Sequence, residues 1–138
     1  MTPLVSVKSL SRSFSSGRRL FHKPHLFHAV SEVSFDIAAG EILGVVGESG
    51  CGKSTLARLI LRLLKPSAGQ ILFEGTDIAM MTRADLRKLR RRFQMVFQDP
   101  YSSIDPRQTM REALLEPFQV QGIHLSAKKA NETVASLL

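Results

Sequence analysis

One run of nine residues constrains this chain more than any other: Gly47-Glu48-Ser49-Gly50-Cys51-Gly52-Lys53-Ser54-Thr55. It fits the pattern G-x-x-x-x-G-K-[ST] and carries a third glycine inside it. Before it stands Ile42-Leu43-Gly44-Val45-Val46, an apolar run that predicts a strand buried on both faces. After it, Leu56, Leu59, Ile60, Leu63 and Leu64 recur at i, i+3, i+4, i+7 and i+8, which is one face of a helix. Strand, glycine loop and helix, in that order, is the context in which such a loop binds phosphate.

The chemistry of the loop follows from its residues. Glycines at 47, 50 and 52 let the backbone turn tightly, so that backbone N–H groups converge into an anion nest. The first turn of the following helix adds its dipole and its unpaired N–H groups. The Lys53 ammonium is expected at the β- and γ-phosphates, and the Ser54 hydroxyl on a Mg²⁺ that bridges them. The chain is therefore expected to carry a nucleoside triphosphate site, or most of one.

At 138 residues the chain is long enough for one ordinary domain with a real core. A hydrophobic fraction of 43% with 22% charged residues excludes wholesale disorder. No apolar run is long enough to span a bilayer, and Arg58 and Arg62 interrupt the most apolar helix. No signal-peptide pattern opens the chain, which predicts a site facing the cytoplasm. Cys51 is the single cysteine, so no intrachain disulfide forms. The net charge of +7 is concentrated in two places. Lys8, Arg12, Arg18, Arg19 and Lys23 lie in a stretch without acids, and Arg83, Arg87, Lys88, Arg90, Arg91 and Arg92 face only Asp85. Basic clusters suit nucleic acid or an anionic membrane face. With no stacking aromatics interleaved, this one reads instead as a solvated helix face, and no nucleic acid is expected.

Along the chain, residues 4–8 alternate as an edge strand and residues 29–37 as a second antiparallel strand. The polar, basic stretch 11–28 between them predicts a loop. It holds Phe14 and a row of His22, His25 and His28, to which no function is assigned. Lys65-Pro66-Ser67-Ala68-Gly69 stops the helix after the glycine loop. Residues 70–74 predict a strand, Thr82 the cap of a short basic helix, and residues 93–97 another strand. Thr109 and Glu112 form a capping box for a helix that Pro117 and Gly122 are expected to break. Ser126 caps a last helix with Val134, Leu137 and Leu138 on its face. That helix reaches Leu138 without a stop signal, which predicts that the sequence continues.

GESGCGKST, followed 45 residues after Lys53 by Gln98 in FQMVFQDPYSSIDPR, resembles the ATPase subunit of an ATP-binding cassette (ABC) transporter. Within that family it is most similar to the dipeptide, oligopeptide and nickel importer branch, and the likeness runs from LSRSF through HAVSEVSFDIAAGE to TMREALLEP. The resemblance implies an α/β fold: a P-loop nucleotide-binding domain with an N-terminal antiparallel β-subdomain. Residues 1–138 would form the N-terminal part of that single domain. It implies ATP and Mg²⁺ as ligands, held by Gly47, Glu48, Ser49, Gly50, Cys51, Gly52, Lys53, Ser54 and Thr55. Phe14 falls where the family stacks an aromatic on adenine; a hydrophobic anchor is the alternative. Val30 falls where the family has an apolar residue near the nucleotide. Gln98 matches the Q-loop glutamine that reaches Mg²⁺ and the attacking water. The loop 99–107 would meet transmembrane permease subunits, a second ATPase subunit would close the dimer, and the protein would lie peripherally on the cytoplasmic face of the plasma (inner) membrane.

The departures are equally specific. The family's signature sequence, its apolar strand ending in Asp-Glu (Walker B) and its switch histidine are absent, so the fold is expected to be incomplete and to lack its general base. His124 follows a glycine and is no switch histidine. Without flanking parallel strands the run 42–46 lacks partners, which predicts marginal stability and aggregation. Two other readings stay open: a nucleotide-binding remnant or regulator without turnover, and another phosphate-loop enzyme such as a small kinase with the 83–92 helix as a lid.

Overall fold

The computed structural model describes residues 2–15, 26–99 and 104–138. The chain forms two compact units, Met1–Gln94 and Met95–Leu138. The loop residues 100–103, and His22 and His25 of the histidine row, lie outside the described residues.

The first unit rests on an antiparallel four-stranded sheet in the order β2-β1-β3-β4. The strands are β1 Val5–Ser15, β2 Leu26–Ile37, β3 Ala68–Phe73 and β4 Thr76–Asp77. β2 alternates from Val33 to Ile37 as the sequence suggests, but β1 changes phase midway. Val7 and Leu10 are both fully buried although three residues apart, because a bulge separates them. At the bulge Ser9 turns to φ 46°, and its N–H donates to Ser34 Oγ at 2.8 Å. Gly69 crosses just there, where a Cβ would overlap the Ser9 carbonyl oxygen.

Residues 11–15 and 26–28 belong to these strands, not to the loop expected from their polarity. Cross-strand pairs hold them: Phe14 opposite Phe27, and Ser13 opposite His28, whose Nδ1 lies 2.9 Å from Ser13 Oγ.

Helix α1, Lys53–Ile60, lays Leu56 and Leu59 on the sheet, where they join Val7, Leu10, Val30 and Ile71 in one core. Full burial of a leucine such as Leu59 contributes roughly 1.5–3 kcal/mol. The helix ends sooner than its apolar spacing predicts. Arg62 turns to φ 52°, its N–H bonds the Leu59 carbonyl, and Leu63 N–H reaches back to the Arg58 carbonyl. Glycine is the usual residue for this left-handed position. Here an arginine network holds it: Arg62 Nε donates to Ile78 O at 3.0 Å, and Arg90 donates to Leu61 O and Arg62 O at 2.5 and 3.0 Å. Burial, then the neighbouring Arg90 charge, pushes the Arg62 guanidinium pKa down, and Asp77 opposes them.

Helix α2, Arg83–Leu89, starts at Thr82, whose side chain accepts the Asp85 N–H at 3.2 Å. The basic run 83–92 is only partly the solvated face expected. Arg90 closes the end of α1. Arg92 forms a two-pronged ion pair with Glu74 and lies 5.0 Å over the Phe73 ring, which meets Phe93 edge-on at 5.5 Å.

Two expected strands carry no ladder. Residues 42–46 and 93–97 pair with no strand among the described residues. Ile42 is 96% exposed, and Val46 and Val96 are each 93% exposed. A strand apolar on both faces is stable only with strands beside it and layers above and below, and the described strands are all antiparallel and elsewhere.

The second unit pairs α3, Met110–Val120, with α4, Ala127–Leu137. The capping box is complete: Glu112 N–H donates to Thr109 Oγ1, and Thr109 N–H donates to Glu112 Oε2. Pro117 does not break α3 but sits inside it. The helix ends at Val120, and past it Gly122 turns to φ 69° with Ile123 N–H bonded to the Phe118 carbonyl. Ser126 caps α4 through the Lys129 N–H. Leu115 and Ala130 are buried, whereas Leu137 and Leu138 are exposed. No helix among the described residues is long and apolar enough to cross a membrane.

Candidate phosphate-binding site

The glycine loop 47–52 delivers the chain directly into α1. Gly52 is the N-cap, at φ 99°, and no side chain among the described residues caps the helix. No acidic residue occupies the first turn either. The N–H groups of that turn therefore meet no capping carboxylate or hydroxyl among the described residues. Gly52 is required sterically as well as conformationally: a Cβ there would overlap the Ala29 carbonyl oxygen of β2. The sheet thus presses one wall of the loop into place.

Lys53 opens α1, and its ammonium turns back across the loop. It donates to the carbonyl oxygens of Gly47 and Glu48 at 2.7 and 2.6 Å and lies 3.6 Å from Cys51 Sγ. The positive charge is held over the same backbone that the glycines fold. Ser54 follows on the helix with its side chain exposed, and Thr55 is half-buried. Glu48, Ser49, Gly50 and Cys51 are exposed along the loop.

Val30, Cys51, Gly52 and Lys53 meet in one cleft of about 220 Å³, walled also by Val45 and Leu56. Its described lining holds no carboxylate. Phe14 stands apart from this lining, near the end of β1, with 37% of its surface exposed and the Arg12 guanidinium 4.7 Å from its ring centre. Gln98 is exposed, at a bend in the second unit. Sequence reasoning missed Ala29, because a backbone carbonyl leaves no mark on residue type. It also missed Arg12 beside Phe14, for which the signal existed: an Arg-x-Phe spacing on one strand face.

The residues present fit a triphosphate with a hard divalent cation. The uncapped helix start, the Lys53 ammonium and the glycine cradle suit phosphate oxygens, and the Ser54 hydroxyl suits a magnesium-sized ion that keeps several waters. Among the described residues no group of three or more His, Cys, Asp or Glu gathers elsewhere to hold a metal.

An antiparallel sheet laid against a glycine loop and its helix is the arrangement of a nucleotide-binding cassette. The fold agrees with an ATP-binding cassette solved as a dimer in a post-hydrolysis state with ADP and Pi. The TM-score is 0.76 at 22% identity, over 96% of this chain and 54% of that one. The family model described as ABC transporter matches residues 30–138, and the chain belongs to that family. An oligopeptide transport ATP-binding protein of Bacillus subtilis is 50% identical over 111 residues, 80% of this chain and 33% of that protein. A relative in Brucella ovis, named for peptide import and ATP binding, is 44% identical over 128 residues, 93% of this chain. The chain spans 38% of that relative's length, so it corresponds to well under half of such a protein.

Proposed function

We propose that the chain is the N-terminal part of a single nucleotide-binding domain, in the ATP-binding subunit of a peptide importer. The full protein would couple ATP binding and hydrolysis to the transport of peptides or a related small solute. The observation that carries this reading is the Lys53 ammonium held across a glycine loop that opens an uncapped helix. The peptide-transport names of relatives at 44 to 50% identity support the cargo class.

In this reading the loop amides from Gly47 to Thr55 and the Lys53 ammonium hold the phosphates. The Ser54 hydroxyl and the Gln98 amide oxygen would hold Mg²⁺, whose charge offsets that of the β- and γ-phosphates. Phe14 offers its ring to the adenine, and Val30 lines the cleft behind Gly52. Gln98 orients water, while the general base comes from outside these residues. A second ATPase subunit completes each site, the loop 99–107 meets a transmembrane permease subunit, and the assembly lies on the cytoplasmic face of the plasma membrane.

A second reading, nucleotide binding without turnover, is favoured by one observation: the described lining of the cleft has no carboxylate to activate water. Steady-state ATP hydrolysis by the purified protein separates the two. Turnover abolished by Lys53→Ala supports the transporter ATPase, whereas saturable ATP binding with no turnover, alone and with its permease, supports the second.

A further inference from the structure

Arg12 occupies an unusual position beside the residue offered to the base. It lies two residues before Phe14 on β1, and its guanidinium carbon sits 4.7 Å from the ring centre. One face of Phe14 is therefore covered by a cation, and 37% of the residue remains exposed. A guanidinium stacks flat on an aromatic ring and fixes the ring's orientation. The same guanidinium is anchored elsewhere: its NH1 donates to the Lys65 carbonyl at 2.9 Å. Its Nε is buried and has no hydrogen-bond partner among the described residues, an arrangement that costs free energy.

The anchor connects two parts of the site. Lys65 belongs to the segment that follows α1, and that segment is bonded to β1 again through Ser67 N–H to Ser11 O at 2.9 Å and Ser13 N–H to Ser67 Oγ at 3.1 Å. One end of α1 makes the phosphate loop; the chain just past its other end holds Arg12. A ring backed by Arg12 is thus registered against the element that positions the phosphates.

We propose that Arg12 is a positioning residue for nucleobase recognition: it backs one face of Phe14 so that the other stacks on the base of a bound nucleoside triphosphate. This rests on the ATP-binding reading above. Arg12 acts through Phe14, so its removal weakens ligands that have a base and spares those that have only phosphates.

The test compares ATP with inorganic triphosphate, each with Mg²⁺, by equilibrium titration of the purified protein. Arg12→Met is expected to lose roughly two- to fivefold in ATP affinity, the size of an exposed cation–π contact, and nothing in triphosphate affinity. Arg12→Lys, which keeps the cation and a donor for the Lys65 carbonyl, is expected to recover most of the loss. In a Phe14→Leu background, Arg12→Met is expected to add no further loss. Equal weakening of both ligands, or the same loss with Leu at 14, would overturn the proposal while leaving the phosphate site intact. Should Arg12→Met fail to fold, Arg12→Lys and the Phe14→Leu pair decide: Arg12→Lys with full loss of base preference contradicts the proposal. A wild-type protein that binds neither ligand, with Lys53→Ala changing nothing, would remove the ATP-binding reading itself.

Discussion

The start of β1 and the run 42–46 both read as strands in the sequence and are opposite in structure. β1 opens on the alternating Val5-Ser6-Val7, whereas 42–46 is apolar at every position but Gly44. β1 is bonded on both sides, and its Val7 and Leu10 are fully buried. The run 42–46 has no ladder, and Ile42 and Val46 are almost fully exposed. The difference lies in where partners come from. β1 is completed by β2 and β3 of the same unit, whereas a strand apolar on both faces needs strands beside it and layers on both sides. β1 finds its partners among the described residues, and 42–46 does not.

The largest expected effect contrasts the two regions directly. Leu59→Ala or Ile71→Ala should destabilise the chain by about 2–5 kcal/mol, because each leaves a cavity in a closed core. Val46→Ala should change stability by less than about 0.5 kcal/mol. Denaturant unfolding of the three variants checks this, and comparable losses would erase the contrast. The exposed run also predicts that the chain unfolds without a sharp transition and aggregates on warming; a sharp, cooperative transition of a soluble monomer would contradict this.

Next in size is the loop where the sheet meets the site. Gly52→Ala should weaken ATP binding at least about tenfold, since the new Cβ meets the Ala29 carbonyl oxygen at a positive φ. Gly50→Ala faces open space, and its cost should be limited to about 1 kcal/mol for the left-handed backbone. Titration of both variants sharpens the claim that β2, and not loop flexibility alone, shapes the cradle.

Arg90→Met tests the closed end of α1. It leaves the Leu61 and Arg62 carbonyl oxygens without their donor and should destabilise the first unit by about 1–3 kcal/mol in thermal or denaturant unfolding.

The smallest effect belongs to the second unit. The Thr109 N–H first, and the Thr109 hydroxyl second, hold the Glu112 carboxyl below its ordinary value. Its folded pKa lies below its unfolded one, so its contribution is present above about pH 4.3 and is lost as pH falls through the folded value. Glu112→Gln should flatten the acid limb of α3 helicity, followed by circular dichroism from pH 6 to pH 3.

The parts legible in the sequence are those set by a few adjacent residues. The glycine loop, the caps at Thr82, Thr109 and Ser126, and the Leu56–Leu59 face of α1 all depend on contacts within a turn or two. The unread parts depend on residues far apart. β1 runs to Ser15 because Phe27 and His28 pair with its end, and polarity alone made that stretch look like a loop. α1 stops at Ile60 because Arg90 stabilises a left-handed Arg62 from 28 residues away. Pro117 lies inside α3, between the capping box at Thr109 and the left-handed Gly122, where residue type alone reads as a break. The strands expected at 42–46 and 93–97 rest on apolar runs; the missing partners of 42–46 are legible in the sequence, whereas nothing in the run 93–97 tells whether partners are at hand.

The central claim is that Lys53 and the glycine loop hold a triphosphate, and calorimetric titration with Mg-ATP tests it most directly. The account predicts saturable binding to the wild-type protein, lost in Lys53→Ala and retained in Lys128→Ala, a surface change on α4. Binding that survives Lys53→Ala unchanged would contradict it.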